Sequence, residues 1–291
     1  MFSVVISAHN EENVIGKSLD AVLSSPVPGP MQIIVSANGC TDRTAATATR
    51  PGVVVIDRPD PGKAAALNAG DRAANGFPRI YLDADIIVPP GGLAAVVARF
   101  AEVPHPLAVV PRRRLDTTGR PWFVRAYFSI NERLPVFEDG LFGRGMIALS
   151  AEGRSRFDTF PDLIADDLFL DSQFTGTEKA EVSGVEVVVA APFTTRALVR
   201  RLVRVRRGNA QMRSAAAAGH ITVRVRSADR WSWWRDVVVP HPRLLPAAVP
   251  YLLITIIAGL LARRPVKPGE GWGRDESTRG RQPTATTEAS A

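Results

Sequence analysis

Residues 2–12 read Phe-Ser-Val-Val-Ile-Ser-Ala-His-Asn-Glu-Glu. The apolar run Phe2–Ser7 ends abruptly in polar residues, a pattern typical of a buried strand followed by a loop. Because the run has no basic leader, we interpret it as a first strand and not as a secretory signal. We therefore expect this part of the chain to lie in the cytoplasm.

The pattern of a short apolar run with a polar end recurs along the first half of the chain. Four further strands are predicted, at Gln32–Ser36, Val53–Asp57, Arg79–Leu82 and Leu107–Val110. Helical stretches are predicted between them, at Asn13–Leu23, Arg43–Thr49, Ala64–Ala74 and Leu93–Phe100. Strands that are almost wholly apolar and alternate with helices predict an α/β fold, with a mostly parallel sheet flanked by helices.

Polar clusters follow the first four predicted strands, at Ser7–Glu12, Ala37–Asp42, Asp57–Lys63 and Asp83–Asp85. The carboxyl ends of parallel strands share one edge of the sheet, and ligands of such sheets bind there. Four polar clusters at one edge are hard to explain by solvation alone. The sequence therefore predicts a ligand site at this edge.

Composition limits the classes of partner. The chain has 291 residues, 45% of them apolar, which suits one large domain or one domain with an appendage. The formal net charge of +7 suits a polyanion such as a nucleotide, a nucleic acid or an anionic lipid. Only four of the 36 basic residues are lysine, and the planar fork of arginine suits phosphate. Cys40 is the only cysteine, so no disulfide can form within the chain.

Asp83 and Asp85 stand one residue apart, just beyond a predicted strand. In an irregular turn both carboxylates can approach one hard divalent cation. Mg²⁺ and Mn²⁺ prefer such oxygen ligands and often bridge to substrate phosphates. The alternative is that both are loop acids that cap the turn, which is the commoner role of an isolated Asp-x-Asp.

The other clusters offer weaker signals. Gly62 would let the backbone approach a ligand, and Lys63 would open a helix, where it meets either a phosphate or only solvent. Asn38-Gly39 alone is a turn signal, and Asp42 is an ordinary N-cap candidate.

Taken in order, these pieces resemble a known family. The motifs are Val4–Glu12, Ile33–Asp42, Gly62–Asn68 and Leu82–Asp85. Their order and spacing resemble those of the family 2 glycosyltransferases of the GT-A fold, which include processive polysaccharide synthases and single-addition sugar transferases. The resemblance covers residues 2–210, and we take 1–210 as the GT-A domain.

The resemblance implies roles on the donor side. The loop after the first strand would border the nucleotide base and ribose, through Ala8, His9, Asn10 and Glu11. Asn38 stands where the family usually has an aspartate that contacts the base. The identity of the base stays open, because an amide donates as well as accepts. The resemblance further places Lys63 near the donor, Asp83 near the ribose and the metal, and Asp85 as the main ligand of Mg²⁺ or Mn²⁺.

The resemblance also implies an acceptor side. Gly143 and Gly145 would let the backbone lie close to the substrate. Asp166 and Asp167 resemble the family's acidic pair, in which the second acid, here Asp167, is the general base. Without the resemblance, Gly143 and Gly145 would be interpreted as glycines that ease the backbone of a loop. The two aspartates would be interpreted as acids that the dipole of a helix N-terminus favours.

One element of the family is missing. A Gln-x-x-Arg-Trp sequence often occurs downstream, but here residues 201–209 read Arg-Leu-Val-Arg-Val-Arg-Arg-Gly-Asn. These arginines could clamp a diphosphate or an anionic acceptor, or they could form a basic helix on a membrane-facing surface. The missing tryptophan favours a single-addition transferase over a processive synthase.

Residues 244–262 carry no charge over 19 positions, close to the length that spans a bilayer. Pro246 and Pro250 would kink or shorten a helix there, and arginines on both sides leave its orientation open. The basic, tryptophan-containing segment 211–243 suits a membrane interface. We predict membrane association, against a buried core helix or a dimer contact as the alternative. The tail, 263–291, is predicted to be flexible.

The sequence thus predicts an inverting glycosyltransferase on the cytoplasmic side of the cell membrane, in cell-surface glycan or glycolipid synthesis. Its donor would be a nucleotide-diphosphate sugar, with a UDP-sugar favoured, and its acceptor a glycan or a lipid-linked hydroxyl. A nucleic-acid partner is not expected, because the basic residues adjoin an apolar segment. Two alternatives are a non-catalytic module that binds nucleotide sugars or glycans and a sugar-phosphate nucleotidyltransferase.

Overall fold

The computed structural model describes residues 1–219, 221, 225–227 and 229–265. Within these ranges seven strands form one sheet: β1 Phe2–Ala8, β2 Met31–Asn38, β3 Val53–Arg58, β4 Arg79–Asp83, β5 Ala108–Asp116, β6 Met146–Leu149 and β7 Lys179–Ala190. Nine α-helices accompany them: α1 Ile15–Leu23, α2 Thr44–Ala48, α3 Lys63–Ala73, α4 Gly92–Arg99, α5 Trp122–Asn131, α6 Ala151–Arg154, α7 Asp166–Ser172, α8 Thr195–Ala217 and α9 Leu245–Ala262.

The strands lie side by side in the order β3-β2-β1-β4-β6-β5-β7. Among the described strands, β6 alone runs antiparallel to its neighbours β4 and β5. The other pairs, β1 with β2 and β4, β2 with β3, and β5 with β7, are parallel. The predicted fold class, a mostly parallel sheet flanked by helices in the GT-A manner, is confirmed.

The sheet has apolar side chains on both faces. Successive residues of β1 point to opposite sides, so Val4 and Ile6 belong to the cluster under α1 and α4, whereas Val5 belongs to the cluster under α3. Burial on both faces explains why this strand reads as a continuous apolar run. Strand β7 is different, because every second side chain near its end is exposed, and the apolar-run criterion did not find it.

The carboxyl-terminal helix α9 packs against α5 and α8. Tyr251 stacks on Tyr127 with ring centroids 5.0 Å apart, and the centroid of the Trp233 ring lies 5.4 Å from that of Tyr251. Pro250 does not shorten the helix, which runs for 18 residues, and Pro246 falls in its first turn, where no backbone N–H is needed. Of the predicted tail, residues 266–291 lie outside the described residues.

The outer surface of α9 is apolar and exposed. By length and composition, the described helical stretch Pro242–Ala262 could cross a membrane, with a mean hydropathy of 2.2. Side chains on its outer side, such as Leu253 and Ile257, are 50% and 45% exposed. One face of the helix is thus anchored to the domain, and the opposite face meets the surroundings.

Candidate active site

Asp83 ends β4, and its backbone is held by the neighbouring strand. The Asp83 N–H donates to the carbonyl oxygen of Gly145 at 2.8 Å, and the Asp83 carbonyl accepts from the Ile86 N–H at 3.2 Å. Residues 83–86 therefore leave the sheet in a tight turn, which carries Asp85 to an exposed position. The predicted Asp83-Ala-Asp85 pair lies at the carboxyl edge of the sheet.

Gly145 allows this turn to pack. Its φ is +69°, and a Cβ atom there would lie 2.4 Å from Cγ1 of Ile86. An L-residue would suffer both the left-handed backbone and the overlap with Ile86.

We expect Gly145→Ala to lower the melting temperature more than Gly119→Ala does. Gly119 has nearly the same φ, +68°, but nothing lies within 4 Å of its Cβ position. The backbone strain, roughly 1–2 kcal/mol, is therefore common to both variants. The overlap with Ile86 adds roughly 1–3 kcal/mol in Gly145→Ala. Thermal unfolding of both variants checks this, and equal losses of stability would contradict the packing role.

Lys63, the first residue of α3, joins two acids from distant parts of the chain. Its Nζ lies 3.0 Å from Oδ1 of Asp83 and 3.0 Å from Oδ2 of Asp166. Burial alone would lower the pKa of Lys63, but the carboxylates of Asp166 and Asp83 outweigh burial and raise that pKa. The ammonium group is therefore charged, and it holds the β4 edge against the start of α7.

Asp167 lies beside this pair in a partly buried position. Its Oδ2 accepts from the Gly143 N–H at 3.3 Å, and its Oδ1 accepts from the Leu168 N–H at 2.8 Å. Burial and the adjacent carboxylate of Asp166 raise the pKa of Asp167 to about 6, although Lys63 opposes the shift. A carboxyl group with a raised pKa suits proton transfer near neutral pH.

The activity of this site is expected to fall as the pH drops through about 6, the pKa of Asp167. A general base works only when ionised, and below its pKa the protonated form dominates. We expect kcat to fall about tenfold per pH unit on the acidic side and to level off above it. Asp166→Asn should move this limb to lower pH, because it removes a charge that raises the pKa. A pH–kcat profile checks both statements. If kcat of Asp166→Asn falls at the same pH as kcat of the wild type, the second statement is contradicted.

The segment before the acidic pair packs directly on α8. A Cβ at Gly208 would lie 3.0 Å from Cβ of Ile164 and 3.3 Å from the backbone nitrogen of Ala165. Arg204 and Arg201 precede Gly208 by four and seven residues, so they share its face of the helix. Both arginines line the cavity that contains Asp167.

Several predicted donor residues stabilise the backbone. Asn38 is 2% exposed, and its amide donates to the Ala8 carbonyl at 2.7 Å and accepts from the Gly62 N–H at 2.9 Å. Asn10, at φ +57°, accepts from the Thr41 N–H at 2.6 Å. These bonds join the ends of β1 and β2 to the loop before Lys63.

The cavity at this edge has a volume of about 2040 Å³. It brings together most of the predicted site residues, namely His9, Glu11, Asn38, Lys63, Asp83, Asp85, Gly143, Gly145, Asp166 and Asp167. Ala8 and Asn10 are not on its wall. The Ala8 side chain is fully buried in the core, and Asn10 is turned toward Thr41.

The carboxylates of the cavity suit a hard cation that binds together with a substrate. Within the described ranges, no group of three or more His, Cys, Asp or Glu side chains could hold a metal ion alone. Asp83 and Asp85 offer two carboxylates, and Mg²⁺ commonly takes one or two carboxylates, with the remaining ligands from phosphates and water. The chemistry of these residues therefore fits a metal that is completed by a diphosphate.

Sequence reasoning missed several groups around this cavity. Asp171 is buried and accepts from the Leu141 N–H at 3.0 Å and from Lys179 at 2.7 Å, which fixes the loop that carries Gly143. Arg113 of β5 also lines the cavity, and so does Tyr251 of α9. A charged residue that continues an apolar strand was the available signal for Arg113.

Comparisons with known proteins agree with this architecture. Uncharacterized glycosyltransferases of Mycobacterium tuberculosis (strain H37Rv) and Mycobacterium bovis are 35% identical over 145 residues, 47% of this chain. The match spans 63% of the length of each relative.

Solved structures share the fold. One is a mannosyltransferase from Pyrobaculum calidifontis, PcManGT, in complex with GDP-Man and Mn²⁺, with a TM-score of 0.60 and 22% identity, over 90% of this chain and 78% of that one. Another is S. aureus TarS 1–349 in complex with UDP-GlcNAc, with a TM-score of 0.51 and 16% identity, over 65% of this chain and 58% of that one.

The family resemblance is confirmed by a match to a family model. The model described as Glycosyl transferase family 2 matches residues 3–150, just over half of the chain. The matched region contains β1 to β6 and both aspartates of the predicted metal pair. The chain belongs to glycosyl transferase family 2.

Proposed function

We propose that this protein is an inverting glycosyltransferase, which moves a sugar from a nucleotide-diphosphate sugar to an acceptor hydroxyl. The observation that carries the proposal is the Lys63 bridge, at 3.0 Å to both Asp83 and Asp166. Through this bridge the donor-side carboxylate and the acidic pair share one cavity. Asp167 follows Asp166 directly, so a base lies next to the position expected for the donor.

The chain's own groups divide the reaction between them. Asp167 would accept the proton of the acceptor hydroxyl as its oxygen attacks the anomeric carbon. The nucleoside diphosphate leaves from the opposite face, which inverts the configuration. Asp83 and Asp85 would hold a divalent cation that offsets the negative charge of the departing diphosphate. Lys63 is charged and can bind a phosphate oxygen of the donor.

We propose that the base of the donor nucleotide is uracil, and guanine is the alternative against which it is tested. The two structural neighbours carry UDP-GlcNAc and GDP-Man respectively. Asn38 gives one amide hydrogen and one oxygen lone pair to backbone groups, and it is 2% exposed, so little of its amide is open to a base.

A screen of nucleotide sugars tests the proposed function. The full chain is mixed with UDP- and GDP-sugars in the presence of Mn²⁺ or Mg²⁺, and thermal stabilisation and donor hydrolysis are measured. A donor should raise the melting temperature, because it binds the folded state only. Stabilisation without turnover on any acceptor would favour the non-catalytic binding module. Release of diphosphate from a nucleoside triphosphate and a sugar phosphate would favour the nucleotidyltransferase.

The proposed location is the cytoplasmic side of the cell membrane. The exposed apolar surface of α9 supports membrane contact, together with Trp231 and Trp234, which are 68% and 41% exposed. The arginines of α8 favour an anionic leaflet, as the cytoplasmic one is. A membrane site agrees with an acceptor that is a lipid or a lipid-linked glycan, in cell-surface glycan or glycolipid synthesis.

Charging the outer side of α9 is expected to release the protein from membranes. In Leu253→Glu/Ile257→Glu both new carboxylates would stand on the half-exposed side, four residues apart. Burying charges in the bilayer is costly, so the fraction that floats with anionic vesicles should fall sharply. Val54→Glu, at a β3 position that is 46% exposed, is the control and should float as the wild type does. Wild-type protein that stays wholly soluble without detergent would contradict membrane association.

A further inference from the structure

Arg113 is a partly buried cation on the acceptor side of the cavity. It lies on β5, and its guanidinium stacks on the ring of Phe137 at 4.1 Å. Its Nη1 would be 3.2 Å from a Cβ on Gly143, the residue whose N–H donates to Asp167. The carboxylate that acts on the charge of Arg113 is that of Glu132.

The neighbouring Arg144 shows the contrast. It is 3% exposed, donates to the carbonyls of Gly140 at 3.1 Å and Pro111 at 2.9 Å, and forms an ion pair with Glu181 at 2.5 Å. The guanidinium of Arg144 is thus bound by groups of the protein. Arg113 lines the cavity, and its contact with the Phe137 ring uses none of its hydrogen-bond donors.

Other cations surround Arg113. Burial, together with the positive charges of Arg144 and Arg201, lowers the pKa of Arg113 to about 10, although the carboxylate of Glu132 opposes the shift. Arg201 comes from α8, which Gly208 seats against the segment before Asp167. A partly buried arginine with two cationic neighbours is stabilised by an anion, and a phosphate suits the guanidinium fork.

The same cavity has an apolar wall that reaches the exposed surface of α9. Leu252, Ile256 and Leu260 line it and recur every four residues, so they form one stripe along the helix. Their exposed fractions are 41%, 48% and 59%. The cavity therefore runs from the arginines and Asp167 to the surface proposed to meet the membrane.

We propose that Arg113 and Arg201 form a seat for the phosphate of a membrane lipid, whose headgroup carries the acceptor hydroxyl. This inference rests on the proposed function and names the class of its acceptor. The phosphate binds between β5 and α8, the hydroxyl reaches Asp167, and the acyl chains follow the Leu252–Leu260 stripe into the bilayer. The positive charge of the seat and the apolar stripe match the two halves of such a lipid.

Short-chain lipids that stay monomeric test the seat by calorimetry on the full chain. The three probes are dihexanoyl phosphatidylglycerol, which has phosphate and hydroxyl, dihexanoylglycerol, which lacks phosphate, and glycerol 3-phosphate, which lacks acyl chains. We expect the first to bind at least about tenfold more tightly than either of the others. Dihexanoylglycerol loses the charge-assisted contact of the phosphate, which contributes a factor of about this size. Glycerol 3-phosphate loses the burial of its acyl chains, whose CH₂ groups together contribute at least as large a factor.

Arg113→Gln should reduce the affinity for dihexanoyl phosphatidylglycerol about tenfold, and Arg113→Lys should lose less. Arg112→Gln is the matched control, since Arg112 is the adjacent exposed residue on the same strand, and it should bind as the wild type does. The affinity for the nucleotide sugar should be unchanged in all three variants.

Three results would overturn the seat. Equal affinities for the phosphate lipid in Arg113→Gln and Arg112→Gln would show that Arg113 does not bind the lipid phosphate. A loss of donor affinity in Arg113→Gln, with lipid affinity kept, would make it a clamp for the donor diphosphate. Glycerol 3-phosphate that binds as tightly as the lipid would mean a seat for free phosphate. Should Arg113→Gln fail to fold, the ranking of the three probes on the wild type decides. Lipid preference without transfer from any nucleotide sugar would instead count against the proposed function.

Discussion

Replacing Asp167 by asparagine is expected to lower kcat by about 10²–10⁴-fold, with donor affinity nearly unchanged. Asparagine keeps the size of the side chain and can still accept from the Gly143 N–H, which lies 3.3 Å from Asp167 Oδ2. It cannot take the proton of the acceptor hydroxyl. The loss should therefore appear in kcat and leave donor binding intact. Steady-state kinetics with a saturating acceptor, together with donor titration, measure the two quantities separately.

Asp162→Asn is the matched control for this variant. Asp162 is an exposed acid five residues upstream, so its replacement changes the net charge by the same amount without entering the cavity. It should keep wild-type kcat. Unchanged turnover in Asp167→Asn would remove Asp167 as the base, whereas a large loss in both variants would point to a general effect of charge.

The second large effect is expected from Asp85→Asn. In Mn²⁺ this variant should bind the donor no better than the wild type does in excess chelator. Its kcat/KM should fall by at least about 10², because a cation bound beside a leaving diphosphate contributes several kcal/mol. Asp85 is exposed at the turn after β4, so its replacement by an isosteric amide should leave the fold intact. Donor titration with and without Mn²⁺, on both proteins, measures the metal-dependent part directly.

Glu102→Gln provides the control for Asp85→Asn, since Glu102 is an exposed acid beyond the end of α4, away from the cavity wall. Its donor affinity should still rise when Mn²⁺ is added. If the wild type binds donor equally well with and without chelator, the metal role of Asp83 and Asp85 is wrong. In that case the diphosphate would have to be bound by cationic side chains of the cavity, such as Lys63.

The sheet edge could be predicted from sequence because its strands are local and buried. Phe2–Ala8 and Arg79–Asp83 are parallel neighbours in the interior of the mostly parallel sheet, with apolar groups on both faces. Such strands appear in the sequence as uninterrupted apolar runs, and their polar ends mark one edge. The antiparallel β6 is an apolar run of only four residues, and the half-exposed β7 carries no such run. Their places depend on pairing with distant strands, so the sequence alone did not order them.

The candidate site divides in the same way. Asp83, Asp85 and Asp167 could be named from the sequence, because each stands in a motif of a few adjacent residues. That Lys63 joins Asp83 to Asp166, two residues far apart in the sequence, follows from the meeting of α3, β4 and α7. The roles of Asn38 and Asn10 as backbone braces depend on the same packing.

The sequence by itself determined the fold class, the family motifs and an apolar carboxyl-terminal helix, since strand burial, short motifs and hydropathy are properties of neighbouring residues. Tertiary structure alone decided that this helix lies against α5 and α8, and that its stripe joins Arg113 and Asp167 in one cavity. The physical reason is that a contact between distant segments depends on how whole elements pack. Gly208 illustrates this, because the absence of one Cβ brings α8 against the residues that precede the acidic pair.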